Sequence, residues 1–197
     1  MSDWEARAAE KRRQQADRIP SAWRLPSLPS DPTLNVRKYI SQCSLLTPAE
    51  YALTSIVNGK VLQQKLLSGE VTCVEVVTAF SKCAAITHQL TGCCTEMFFD
   101  KALQRARLLD VTMNDTGKPV GPLHGFPISF KDNFEVEGED TTIGCGLGWV
   151  GRIGQPAAQH SMAVQLMLRL GAVIYVKTNI PQSLMVKVTF AVGLNVY

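Results

Sequence analysis

The feature that most constrains the fold is a strand–loop–helix–strand pattern between residues 126 and 176. Residues 126–131 are a short apolar run typical of a strand, and residues 159–170 carry apolar side chains at helical spacing. Gly171 follows where a helix C-cap glycine belongs, and residues 172–176 are a second apolar run. A helix between two strands of one sheet favours parallel strands joined by a right-handed crossover. The sequence therefore predicts an α/β fold.

Three further helices are predicted before this unit. Thr47 and Thr72 each begin a capping box, because a glutamate follows three residues later. Asp100 is predicted to cap the third helix, directly after a short strand candidate at residues 94–99. Residues 1–46 form a separate part, an N-terminal arm in which a polar helix at residues 3–18 leads into a proline-rich strap.

Composition excludes several classes of function. The net charge is only +3 and the basic residues form no long run, which argues against a nucleic-acid partner. No apolar run approaches the length of a membrane span, and the N-terminus lacks the apolar centre of a signal peptide. We therefore expect a cytoplasmic protein without a membrane partner.

The six cysteines form no pattern that is typical of a metal site. None is part of a C-x-x-C pair, and no histidine lies at ligand spacing, so we expect no bound metal. Without a secretion signal, reduced thiols are the simplest interpretation. The adjacent Cys93 and Cys94 leave a redox-active pair as the alternative.

Lys131 is the leading candidate for a chemical role, because a strand that enters a packed region rarely carries a lysine. A lysine that acts as a base must lose its proton near neutral pH, and apolar surroundings lower the pKa of a lysine toward that range. Phe130 and Phe134 could supply such surroundings. The alternative is a solvated lysine at a strand end, paired with Asp132 or Glu135.

Four other positions, on or after the predicted strands, leave alternatives open. Ser129 lies on the same strand face as Lys131 and could form a serine–lysine dyad with it, although such spacing is common by chance. Lys177 ends the second strand and fits a solvated strand end as well as a site residue. Leu184 and Met185 fit either a pocket wall or the core.

Several ordered segments together resemble the amidase signature family, and in particular its fungal acetamidase-like branch. Residues 121–132 (GPLHGFPISFKD) match the lysine motif of that family almost position for position. Residues 91–110, 141–144 and 171–185 continue the resemblance, and residues 4–26 resemble the N-terminal arm of the fungal branch. Several such motifs in order are far more specific than any one of them.

The resemblance implies a mixed central sheet flanked by helices and a hydrolase that cleaves a small carboxamide to a carboxylate plus ammonia or an amine. Family members use a Ser–Ser–Lys triad and no cofactor or metal. A neutral lysine takes a proton from a bridging serine, which deprotonates the nucleophilic serine, and backbone N–H groups hold the oxyanion. By position, Lys131 is the triad lysine, and Leu184 or Met185 lies near the substrate acyl pocket.

The resemblance places both serines after Met185, where the sequence departs from the family pattern. Residues 47–185 are thus predicted to be the N-terminal part of an amidase domain, and residues 186–197 a divergent tail with strand-like alternation. We expect a truncated chain that supplies only the lysine and is inactive as it stands. The alternative is a non-catalytic fragment or pseudoenzyme that binds a partner, with a homo-oligomer left open.

Overall fold

The computed structural model describes residues 3–29, 35–144, 153–181 and Leu184. Within these ranges five helices precede the first strand, and helices then alternate with short strands; a 3-10 turn follows the first helix at Ser21–Trp23. The elements in chain order are α1 (Asp3–Asp17), α2 (Val36–Gln42), α3 (Pro48–Thr54), α4 (Gly59–Leu67), α5 (Cys73–Thr91), β1 (Cys94–Met97), α6 (Phe99–Thr116), β2 (Pro127–Lys131), α7 (Met162–Arg169) and β3 (Val173–Thr178).

The described strands form one mixed sheet in the order β1-β3-β2. β2 runs parallel to β3, with Lys131 opposite Thr178, whereas β1 runs antiparallel to β3, with Met97 opposite Val176. The parallel pair with α7 between its strands confirms the predicted strand–helix–strand unit. The molecule is an α/β protein with a mixed sheet flanked by helices, as the resemblance implied.

The central strand β3 is covered on both faces, which is why its sequence is almost continuously apolar. Val173 and Tyr175 pack against an apolar cluster between α4, α5 and α6. Ile174 packs on the other face against Phe130 and Val164, the latter from α7. The cluster under α5 and α6 has these buried members: Leu62, Leu66, Cys73, Val76, Val77, Ala102, Ala106, Leu109 and Val173.

Two predicted capping boxes are confirmed and one predicted cap is wrong. Thr47 and Thr72 each accept a hydrogen bond from the backbone of the third helical residue, and the glutamate at that position bonds back. Asp100 does not cap α6, because the helix already begins at Phe99. The N–H of Phe98 donates to the carbonyl of Tyr175 in β3, so the chain turns from strand to helix at Phe98. Asp100 lies instead in the first turn, where the helix dipole favours a carboxylate.

α7 begins at Met162, three residues later than the pattern predicts. The reason is tertiary, because the residues before α7 bond to the segment after β2. The N–H of Ser161 donates to the carbonyl of Glu135, and the N–H of Glu137 donates to Nδ1 of His160. These bonds hold residues 160 and 161 in an extended connection rather than a helical turn.

Candidate active site

The turn that leads into β2 is tightly packed against the start of β3. The N–H groups of Leu123 and Gly125 donate to the carbonyls of Leu170 and Gly171 at 2.9 Å. Gly125 has a positive φ of 72°, and a Cβ there would overlap the side chain of Cys73. A Cβ on Gly121 would lie 2.6 Å from the carbonyl oxygen of Leu170. The glycines of this turn therefore let β2 enter the sheet in register with β3.

β2 ends with Lys131 exposed at the carboxyl end of the strand. Ser129 is exposed as well, whereas Phe130 between them is buried against Phe134 with 5.2 Å between ring centroids. Ser129 and Lys131 thus share the exposed face of the strand, as predicted. No hydrogen bond joins Ser129 to Lys131 in the part of the chain that the structure describes, so the geometry offers no support for a dyad between them.

Asp132, directly after Lys131, is completely buried and accepts hydrogen bonds from two other segments. Its Oδ2 accepts from the N–H of Thr142 at 3.0 Å, from the hydroxyl of Thr142 at 2.7 Å and from the N–H of Ile143 at 2.8 Å. Its Oδ1 accepts from the hydroxyl of Thr95 in β1 at 2.9 Å. The carboxylate therefore ties the end of β2 to β1 and to residues 142–143.

Ile143 adopts a positive φ of 53°, a conformation that a β-branched residue rarely takes. Its N–H is one of the donors to Asp132, so the bond to the buried carboxylate accompanies the unusual backbone. Such local strain persists only where the surroundings determine the conformation strongly. The segment beside Lys131 is therefore held in one conformation by Asp132.

Lys177 of β3 is also completely buried, beside Asp132. Its Nζ donates to the carbonyl of Asp140 at 2.5 Å and to the hydroxyl of Thr141 at 2.9 Å, and lies 3.5 Å from Oδ1 of Asp132. Burial lowers the pKa of Lys177, while the carboxylate of Asp132 opposes that shift. Of the two sequence interpretations of Lys177, the solvated strand end is wrong.

Three further carboxylates lie near this pair, and each is paired with cations from α1, from Arg18 directly after it or from α6. Glu139 accepts from Arg18 and from Lys101, both at 2.6 Å. Asp140 accepts from Lys11 at 2.8 Å. Glu96 of β1 pairs with Lys11 of α1 and with Arg18, the residue directly after α1. Burial raises the pKa of Glu96, and its two cationic neighbours oppose the rise.

The sequence pattern names Lys177 as a possible site residue but does not predict that it is buried beside Asp132, which it favours only as a solvent partner of Lys131. The burial of Glu96, Glu139 and Asp140 is likewise not predicted. A signal was available for Lys177, because it ends a buried strand at the same sheet edge as Lys131.

Of the two residues predicted near the acyl pocket, Leu184 is 43% exposed and has a positive φ of 62°. Met185 lies outside the described residues. Leu184 is therefore accessible at the surface of the described chain, and its contact with a substrate stays a prediction.

Two of the described histidines, His88 and His124, accept a backbone hydrogen bond through Nδ1. Nδ1 of His124 accepts from the N–H of Val120 within the turn, and burial lowers the pKa of His124. Nδ1 of His88 accepts from the N–H of Cys94, and burial lowers the pKa of His88 too. Because Nδ1 of each histidine is already engaged by a backbone N–H, neither His88 nor His124 is a candidate to take a proton from Lys131 or Ser129.

The described cysteines are free thiols, and Cys145 lies outside the described residues. Sγ of Cys93 lies 3.8 Å from Sγ of Cys94, and this thiol–thiol contact lowers the pKa of Cys93 to about 6.

Within the described ranges, no three histidine, cysteine or acidic side chains cluster as a metal site would require. In the same ranges, no helix combines the length and the apolar character that crossing a bilayer demands.

Comparison with known proteins identifies the same family over most of the chain. A family model described as Amidase matches residues 75–193. The chain is 42% identical over 189 residues to a putative amidase, kk1C, of Curvularia clavata, and 41% identical over 183 residues to an acetamidase of Emericella nidulans. These matches cover 95% and 93% of this chain but 34% and 32% of the relatives, so the chain spans about a third of their length.

Solved structures give the same result. A fatty acid amide hydrolase matches with a TM-score of 0.82 and 34% identity, over 93% of this chain and 32% of that chain. The peptide amidase of Stenotrophomonas maltophilia matches with a TM-score of 0.57 and 25% identity, over 65% of this chain and 26% of its own.

Proposed function

Because the chain belongs to the amidase family, we propose that it is the lysine-bearing part of an amide hydrolase, with Lys131 as the proton-accepting base. The observation that carries the proposal is the position of Lys131, exposed at the carboxyl end of β2 and adjacent to the buried, fully bonded Asp132. Sites of α/β sheets gather at such strand ends. A lysine next to an anchored residue can be held at a constant position relative to a substrate.

The proposed reaction follows the Ser–Ser–Lys scheme. The neutral amine of Lys131 takes a proton from a bridging serine, which takes a proton from the nucleophilic serine. The nucleophile attacks the carbonyl carbon of a small carboxamide, and the proton held by Lys131 passes back through the bridging serine to the leaving nitrogen. Ammonia or an amine then leaves, and water releases the carboxylate. No cofactor enters this scheme. Leu184 and Met185 are proposed to contact the acyl group of the substrate.

We further propose that the 197 residues by themselves do not hydrolyse amides, since the two serines of the scheme belong to segments that follow Met185 in the family pattern. A catalytic unit without its nucleophile loses nearly all of its rate acceleration. Sequencing the transcript past codon 197 tests whether the same reading frame continues into a two-serine, glycine-rich segment.

We propose the cytoplasm as the compartment in which the protein acts.

The test of Lys131 uses a chimera in which residues 1–185 precede the remaining two thirds of the Emericella nidulans acetamidase. Ammonia release from acetamide is measured for this chimera and for its Lys131→Ala variant. We expect Lys131→Ala to lower kcat/KM by roughly 10³-fold or more. Lys118→Ala, which removes another exposed lysine, serves as the matched control and should leave kcat/KM unchanged. Full activity in Lys131→Ala would overturn the proposal.

A second candidate function is binding of a partner without catalysis. Met162 and Leu166 lie four residues apart on α7 and are 79% and 51% exposed, so part of this helix presents apolar surface. Binding of another polypeptide, including a second copy, would cover it. Sedimentation of the 197-residue chain tests whether a second copy covers this surface. A mass that rises with concentration supports self-association, and a constant monomer mass contradicts it.

A further inference from the structure

The buried lysine of β3 contacts the segment that anchors the end of β2, and this contact suggests a role for it. Building on the proposed function of Lys131, we propose that Lys177 is a positioning residue, which holds Lys131 in place through Asp132 and residues 140–143. Lys177 itself touches no solvent and so no substrate, because its exposed fraction is 0%.

The ammonium group of Lys177 is matched to its surroundings. An ammonium has three N–H donors, and three acceptors lie around Nζ: the carbonyl of Asp140, the hydroxyl of Thr141 and Oδ1 of Asp132. A buried charge is stable only when it is paired and hydrogen-bonded. The same nitrogen therefore joins β3, the end of β2 and the 140–141 segment in one place.

Two routes lead from Lys177 to Lys131. The first is the sheet, since Phe130 lies opposite Lys177 and Lys131 lies opposite Thr178 in the parallel register. The N–H of Asp132 continues this ladder by donating to the carbonyl of Thr178 at 3.0 Å. The second route is the side-chain contact with Asp132, the residue directly after Lys131.

The arrangement separates two tasks between two lysines. Lys131 is exposed at the strand end, whereas Lys177 compensates the charge of Asp132 in the interior. Without the ammonium, Asp132 would keep its donors from Thr142 and Ile143 but would lie as an uncompensated carboxylate at 0% exposure. Movement of that carboxylate toward other partners would weaken the bonds that order residues 142–143. The end of β2 would then lose its anchor.

The first measurement is amide hydrogen exchange in the 197-residue chain, which does not depend on catalysis. Lys177→Met removes the charge and keeps the length of the side chain. We expect exchange at Thr142 and Ile143 to accelerate by about tenfold or more, with exchange in the middle of α5 changed far less. Lys82→Met is the matched control, because it removes a lysine of α5 that pairs with Glu50 of α3. Exchange at Thr142 and Ile143 should be unchanged in this variant.

Thr141→Val is a milder variant that keeps the proposal testable if Lys177→Met does not fold. It removes one of the three acceptors while preserving the shape of the buried side chain. We expect a smaller acceleration, about threefold, confined to residues 140–143. Unchanged exchange at these residues in both variants would overturn the proposed role of Lys177.

The second measurement uses the chimera with the acetamidase segment. Lys177→Met should lower kcat for acetamide by about tenfold or more while KM changes little, because the base is displaced but the substrate contacts remain. An unchanged kcat alongside accelerated exchange would overturn the positioning role. Full activity of Lys131→Ala would instead contradict the proposed function itself, so the two failures are distinguishable.

Discussion

Two interior regions of this molecule differ in chemical character, since one is apolar and the other is charged. Between α4, α5, α6 and β3 the interior is hydrocarbon, with buried residues such as Leu66, Val76 and Val77 in contact. Between α1, β1 and the segment after β2 the interior is charged, with Glu96 and Glu139 each 1% exposed and paired with cations. Apolar side chains in a core can be replaced by others of about the same size and shape, whereas each buried charged group requires a partner at hydrogen-bond distance.

The difference explains how each region relates to the candidate site. The apolar cluster supports β3 from one face and lies under the sheet. The charged region, in contrast, continues through Asp140 into Lys177 and Asp132, directly beside Lys131. Hydrogen bonds to charged groups are directional and stronger than neutral ones, so they suit a segment that must keep one conformation. The comparison predicts that substitutions in the two regions differ in pH dependence as well as in size.

The largest effect is expected in the apolar region. Leu66→Ala removes a side chain that is 2% exposed and leaves a cavity under β3, so we expect the free energy of unfolding to fall by about 3 kcal/mol. Val61→Ala on the same helix is the matched control, because Val61 is 39% exposed, and its effect should stay within about 0.5 kcal/mol. Urea unfolding of the 197-residue chain measures both. Equal losses in the two variants would contradict the assignment of Leu66 to the core.

A smaller loss is expected when one cation leaves the charged region. Lys11→Met leaves Glu96 and Asp140 without that partner, and we expect a loss of about 2 kcal/mol at neutral pH. Arg13→Met is the matched control, since Arg13 pairs with Glu10 and Asp17 only on the exposed face of α1. Its midpoint of thermal unfolding should stay unchanged. A Lys11→Met chain as stable as Arg13→Met would show that α1 is held by other contacts.

The smallest effects concern pH, and the sign differs between the regions. Burial raises the pKa of Glu96 in the folded chain, so the folded state binds more protons in the window between the unfolded and folded pKa values. The contribution of Glu96 to stability therefore falls as pH rises through that window. The N–H of Thr72 lowers the pKa of Glu75, whose contribution is present above the unfolded pKa and is lost as pH falls through the folded pKa.

Urea unfolding of the wild type, Glu96→Gln and Glu75→Gln between about pH 7 and pH 4 measures this difference. The stability advantage of the wild type over Glu96→Gln should grow as pH falls. The advantage over Glu75→Gln should shrink over the same range. Two differences that change in the same direction would contradict the contrast between the buried and the capping carboxylate.

Much of the fold could be predicted from the sequence because its signals are local. The threonine caps at residues 47 and 72 act over three positions, and the apolar runs of β2 and β3 act within single strands. The prediction for Asp100 was wrong because a bond from Phe98 to Tyr175 sets where α6 begins, and those two residues are far apart in the chain.

Local patterns in the sequence are enough to predict the family, the α/β class and the position of Lys131 at a strand end. Which charges are buried depends on contacts between segments that are distant in the chain. Lys11 bonds to Asp140 across 129 positions, and Lys177 bonds to Asp140 across 37 positions. An unpaired lysine or aspartate can lie in water at the surface of any protein. Whether one of them enters the interior depends on partners that the fold brings together, because a charge leaves water only when other groups replace its hydration.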